Sequence, residues 1–123
     1  MPEWIPDGWH CVTPRLVSED PRRLVQFLKD VFDAEGEFGD DRPAQMRIGD
    51  SIVLVGDAKV RRAVPGFLYV YVKDADATYE RAMRGGSISL EEPEDMPYGD
   101  RRAMIRDPFG NDWQIATYKG RRE

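Results

Sequence analysis

Side chains able to do covalent or acid–base chemistry are few and scattered. The chain has one histidine, His10, and one cysteine, Cys11. A lone thiol cannot close an internal disulfide. With no second cysteine and no basic activator, Cys11 is expected to be inert and at least half-buried. No nucleophile–base pair, phosphate-cradling loop or dinucleotide fingerprint is legible, because the glycines at 84–87 and 120–123 lack the spacing. General acid–base work needs a titratable group at a site. Tyr98, Asp95 and Asp100, in and beside the acidic stretch EEPEDMPYG at 91–99, could reach the mouth of a site, but nothing in the sequence marks them as perturbed. That stretch reads as a solvated loop whose tip, Met96-Pro97-Tyr98-Gly99, could serve as a lid. The strongest strand is FLYVYV at 67–72. Its alternation puts Phe67, Tyr69 and Tyr71 on one face and Leu68, Val70 and Val72 on the other.

The elements that position these residues recur. Residues 101–118, RRAMIRDPFGNDWQIATY, read as strand, turn, strand, with Asp107-Pro108-Phe109-Gly110 holding the residue types of a tight reversal. QMRIGDSIVLV at 45–55 is a fainter copy, a hairpin about Gly49-Asp50. Asp20-Pro21 starts a helix whose apolar face is Leu24, Phe27, Leu28 and Val31. Asp74 caps a second helix, with Ala75, Tyr79, Ala82 and Met83 inward and Gly85-Gly86 as its stop. A strand from Val12 to Ser18, a short strand at Phe38 and another at 87–90 complete the set. Both halves therefore read β-α-β-β-β: module one at 11–57 and module two at 64–119, joined by a polar connector, within one α+β domain spanning 1–123. Residues 1–10 form an extended arm whose Trp4 and Trp9 should pack on the body or on a partner subunit.

Composition removes several function classes. With 41% hydrophobic and 33% charged residues, the chain is globular. A net charge of −5 favours neither nucleic acid nor an anionic membrane, and the short basic run KGRR at 119–122 reads as a solvated terminus. Nothing resembles a signal peptide or a spanning segment, so a cytoplasmic location is expected.

Three phrases resemble a known family: IPDGWHCVTPRL at 5–16, the V-x-D-x-D-A start of the second module at 72–77, and Gly99-Asp100 followed by RDPFGNDWQIATYK. The chain resembles the glyoxalase/bleomycin-resistance/extradiol-dioxygenase proteins of the vicinal oxygen chelate superfamily, and within it the PhnB-like, glyoxalase-like branch. The resemblance implies two βαβββ modules whose mixed sheets curl around a cleft, often in a homodimer. Enzymes of that superfamily hold a divalent metal in the cleft with His and Glu from four equivalent positions. The first falls here on Thr13, seven residues before Asp20, and the third on Phe67, seven before Asp74. The fourth falls on Gln114, four residues after Gly110, and the second on Val53, or on Leu54 if the register slips. A hydroxyl, two apolar side chains and a neutral amide cannot hold Mg²⁺, Mn²⁺, Zn²⁺ or Fe²⁺ tightly. His10 has the opposite strand parity to Thr13. No metal, no cofactor and no catalytic residue are therefore expected.

If Phe67 faces the cleft, so do Tyr69 and Tyr71, while Thr13 brings Arg15 and Gln114 brings Ala116. Aromatic rings with one guanidinium, one amide and one hydroxyl have the composition of a small-molecule pocket. The ligand-binding candidates are Thr13, Arg15, Val53, Phe67, Tyr69, Tyr71, Tyr98 and Gln114. The leading expectation is a metal-free binder that sequesters an aromatic or drug-like molecule, working as a homodimer. Two alternatives stay open: a glyoxalase-like lyase, isomerase or dioxygenase-related enzyme, and a scaffold whose cleft its own side chains fill. In the second, Phe67, Tyr69 and Tyr71 would be core; a structural role for Arg15 would be an ion pair with Glu19, Glu37 or another acid.

Overall fold

The computed structural model describes residues 3–120. The chain divides into two units at Val64/Pro65. The outer ends of the arm and of the basic terminus lie outside the described residues.

Unit one contains β1 (Arg15–Ser18), α1 (Pro21–Phe32), β2 (Ala44–Ile48) and β3 (Ser51–Asp57) in a sheet of order β1-β3-β2. α1 begins as expected: the Asp20 carboxylate accepts from Arg23 N at 3.3 Å, and Pro21 opens the first turn. The α-helical spacing buries Leu24, Val25, Phe27, Leu28, Val31 and Phe32. Asp33 ends the helix in the left-handed conformation (φ 60°), which Asp tolerates better than most residues. β1 runs parallel and β2 antiparallel to β3, with Leu16 opposite Val55 and Met46 opposite Val53. These four residues are buried and form the sheet's half of the core.

The expected strand at Phe38 is absent. One bridge, Glu35 to Arg47, takes its place, closed by backbone bonds of 2.9 and 2.8 Å. Phe38 lies beneath the Arg22 guanidinium, 4.9 Å from ring centre, rather than in a ladder. Cys11 is exposed, not half-buried, because it precedes β1 in irregular chain. Trp4 is 75% exposed and packs little on the body.

Unit two contains β4 (Phe67–Tyr71), α2 (Ala75–Arg84), β5 (Ile88–Asp95), β6 (Asp100–Arg106) and β7 (Asp112–Tyr118), in the order β4-β7-β6-β5. Asp74 caps α2 through Ala77 N at 3.1 Å. Thr117 pins the helix start to the sheet, since its Oγ1 accepts from Ala75 N (2.8 Å) and donates to the Val72 carbonyl (2.9 Å). Ala103, Ile105, Trp113 and Ile115 are fully buried beneath α2.

The turn at 107–110 is built around one carboxylate. Asp107 Oδ1 accepts from the backbone N–H of Phe109 (2.8 Å) and Asn111 (2.9 Å). Its Oδ2 accepts from Asn111 Nδ2 (3.1 Å) and Trp113 Nε1 (2.9 Å). Asn111 Oδ1 in turn accepts from Gly66 N at 2.8 Å, fixing the entry to β4. Gly110 has φ 90°, where a Cβ would be strained. The phrase DPFGN is therefore a structural clasp.

The acidic stretch is mostly strand. β5 continues to Asp95, and only Met96 to Gly99 turn. β5 pairs with β6 alone, so the absent N–H of Pro93 breaks no ladder on its outer side, and its register shifts twice, between Ser89 and Glu91 and between Glu91 and Glu94. The carboxylates expected to be solvated find arginines on β6: Glu91 meets Arg102 at 2.6 Å, and Asp95 meets Arg101 at 3.3 Å. No helix among the described residues is long and apolar enough to cross a membrane.

Candidate functional site

α2 covers one face of the unit-two sheet, and the register defines the residues on the other. Phe67, Tyr69 and Tyr71 stand beside Asp112, Gln114 and Ala116 of β7. Those in turn face Arg106, Met104 and Arg102 of β6. Phe67 is 67% exposed and Tyr71 62%, so unit two itself does not bury this row. The Tyr69 and Tyr71 rings lie 5.4 Å apart at 56°.

At the end of the row Asp100, the first residue of β6, is 3% exposed. Its Oδ2 accepts from both phenols, from Tyr71 Oη at 2.9 Å and from Tyr69 Oη in a shorter bond. Burial and the bond to Asp100 push the Tyr69 hydroxyl far above the usual tyrosine range. For Tyr71 the bond to Asp100 is the main cause of a rise. Beside them Arg102 donates to Glu91 Oε1 (2.6 Å) and Tyr98 Oη (3.1 Å), while its buried Nε has no partner. The Gln114 amide makes no hydrogen bond within the described residues and remains available.

A raised tyrosine pKa carries a definite sign. The neutral phenol is favoured in the fold, so this stability is complete below the unfolded value of 10.0 and is lost as pH rises above it. Absorbance titration of the folded protein should show two phenols resisting ionisation past pH ~10. The Asp100→Asn variant should return at least Tyr71 to ordinary behaviour; an unchanged curve would show that the carboxylate does not hold these protons.

The other candidates belong to unit one. Thr13 is half-buried and precedes β1. Arg15 is exposed and makes no ion pair within the described residues; Glu37, one of the partners expected for it, is held by Lys29 at 2.5 Å. Val53 is 4% exposed on the face turned to α1. The opposite face of the unit-one sheet holds Leu54 instead, beside Arg15 in the register.

The positions that the family resemblance marks, Thr13 and Val53 or Leu54 in unit one and Phe67 and Gln114 in unit two, supply no carboxylate or imidazole, and His10 lies outside any strand. Asp100 is bonded to two tyrosines and Glu91 to Arg102. The described residues include no group of three His, Cys, Asp or Glu suited to a cation.

Asp100, Arg102 and Glu91 were not singled out from sequence as a cluster. The parity of β6, counted from buried Ala103 and Ile105, would have placed 100, 102 and 104 on the aromatic face. Reading 91–95 as loop hid the partner strand.

Comparison with known proteins agrees with this architecture. Residues 10–115 match the model of the Glyoxalase/Bleomycin resistance protein/Dioxygenase superfamily. The chain belongs to that superfamily, with its α+β fold of two mixed sheets and two helices. An uncharacterized protein of Mycobacterium bovis is 27% identical, over 85% of this chain and 81% of its own length. One of Mycobacterium tuberculosis H37Rv is also 27% identical, over 85% and 72%. Among solved structures, TioX from Micromonospora sp. ML1 aligns with a TM-score of 0.74 at 24% identity, covering 87% of this chain and 97% of its own. A glyoxalase-related enzyme from Fulvimarina pelagi gives 0.72 at 21%, covering 88% and 87%. At such identities the two structures speak for the fold alone.

Proposed function

We propose that the protein is a metal-free small-molecule binder of the glyoxalase/bleomycin-resistance type, in its PhnB-like branch, holding an aromatic ligand on the open face of the unit-two sheet. The exposed row Phe67, Tyr69 and Tyr71, ending at the sealed Asp100 carboxylate, carries this reading. Exposed aromatic side chains gathered on one face mark a binding surface rather than a core. The Gln114 amide and Tyr98 hydroxyl supply polar contacts that would orient a ligand. Proton transfer near neutral pH is poorly served, because the phenols hold their protons too firmly.

The test is a thermal-shift and fluorescence panel of planar aromatic antibiotics and dyes, run on protein whose metal content has been measured. At least one compound should raise Tm. The double variant Phe67→Ala/Tyr71→Ala should weaken it about tenfold, as two lost stacking contacts of roughly 0.5–1.5 kcal/mol each imply. A panel without a single hit would defeat the binder reading, and stoichiometric Zn, Mn, Ni or Fe would defeat the metal-free one.

A further inference from the structure

The open face of the unit-two sheet combines aromatic rings with an unbalanced charge. The register adds one ring to Phe67, Tyr69 and Tyr71: Tyr118 of β7 stands opposite Asp100 and is exposed. The same pairing puts four carboxylates on this face, Asp100, Asp112, Glu91 and Glu94, against two guanidinium groups, Arg102 and Arg106. Arg102 binds Glu91 at 2.6 Å and Arg106 binds Asp112 at 2.7 Å. Asp100 and Glu94 have no ion pair within the described residues. Lys73, the next step of the β4 alternation but beyond the strand's end, could offset only one of them. The surplus on this face is therefore negative.

The two unmatched carboxylates differ in kind. Glu94 is exposed, so water and salt screen it. Asp100 is sealed, and its Oδ2 accepts from the Tyr69 and Tyr71 hydroxyls. Those donors are neutral, so they share its charge with the rings without cancelling it. An aromatic ring attracts a cation to its face, and a phenol that donates to a carboxylate does so more strongly. The two tyrosine rings lie 5.4 Å apart, so one nitrogen can sit within ~6 Å of both centres. An anion placed there would meet the same surplus as repulsion.

We propose, resting on the binder reading above, that the ligand of this face is a cationic aromatic molecule whose positive nitrogen lies over the Tyr69 and Tyr71 rings. Asp100 is the residue that sets this charge preference, acting through the two phenols it holds.

Calorimetric titration of the full chain at neutral pH with N-methylquinolinium, quinoline and 1-naphthoate tests it, since the three share a body and differ in charge. N-methylquinolinium should bind saturably and about tenfold more tightly than quinoline, with 1-naphthoate weakest and the gap narrowing as salt rises. Asp100→Asn keeps the size and one acceptor oxygen. It should bring the cation down to the affinity of quinoline and leave quinoline itself unchanged, with circular dichroism as the check on folding. If that variant does not fold, Tyr71→Phe decides in its place. It removes a hydroxyl but keeps the ring and the carboxylate, so the preference should persist; its loss would show that the phenol, not Asp100, sets it. Quinoline or 1-naphthoate binding as tightly as N-methylquinolinium would overturn the charge preference and leave the binder reading standing. Saturable binding of none of the three would overturn both. A folded Asp100→Asn protein that keeps the full preference would overturn the role of Asp100.

Discussion

Replacing Asp107 with alanine should destabilise the protein by about 4 kcal/mol, one of the largest effects of any single substitution. The side chain is 3% exposed and accepts four hydrogen bonds, two from backbone and two from the buried side chains of Asn111 and Trp113. Buried donors deprived of their acceptor cost about 1–3 kcal/mol each. No water reaches the indole of a tryptophan that is 1% exposed. Asp107→Asn keeps the shape and one oxygen but removes the charge and an acceptor, so it should cost about half as much. Urea unfolding measures both: the midpoint should fall without a change in slope. A midpoint shift for Asp107→Ala worth less than ~1 kcal/mol would show that the carboxylate does not close the clasp.

Gly36→Ala should be nearly as damaging, by about 3 kcal/mol. Gly36 has φ 141°, and a Cβ there would lie 2.4 Å from the Gln45 carbonyl oxygen and 2.8 Å from Met46 Sδ. The sulfur can shift, but the carbonyl belongs to β2 and cannot. The chain would have to withdraw from β2, at the place where Glu35 pairs with Arg47. Loss of that pairing should appear as fast amide exchange at Glu35 and Arg47. Gly49→Ala is the control. It shares a positive φ (59°) but has nothing within 4 Å of the added carbon, so it should pay only the conformational strain.

Most of the fold was legible because its signals are local. Asp20-Pro21 and Asp74 mark both helix starts, and the alternation of 67–71 fixes which face of β4 is aromatic. What escaped depends on partners distant in sequence. The strand character of 91–95 comes from pairing with β6, which local propensity does not report, and Pro93 argued against it. Phe38 has strand-like composition but finds Arg22 instead of a ladder. Counting from the hairpin leaves the second family position on Val53 or, with a slip of one, Leu54; Val53 is buried and Leu54 pairs with Arg15, because a shift of one reverses a strand residue's side. The pairing of Asp100 with Tyr69 and Tyr71 depends on strand order, which puts β6 within reach of β4 side chains and which local sequence does not report.

The irregularity of β5 also governs how the molecule behaves when crowded. A regular outer strand would offer a row of unpaired N–H and C=O groups to any other chain. β5 breaks that row at two places, the register shifts at 89–91 and 91–94, the second of which contains Pro93, and Glu92 and Glu94 add exposed negative charge beside the breaks. A foreign strand cannot keep step along such an edge. The segment that first reads as a solvated acidic loop is thus a rim whose irregular edge resists fibre-like stacking.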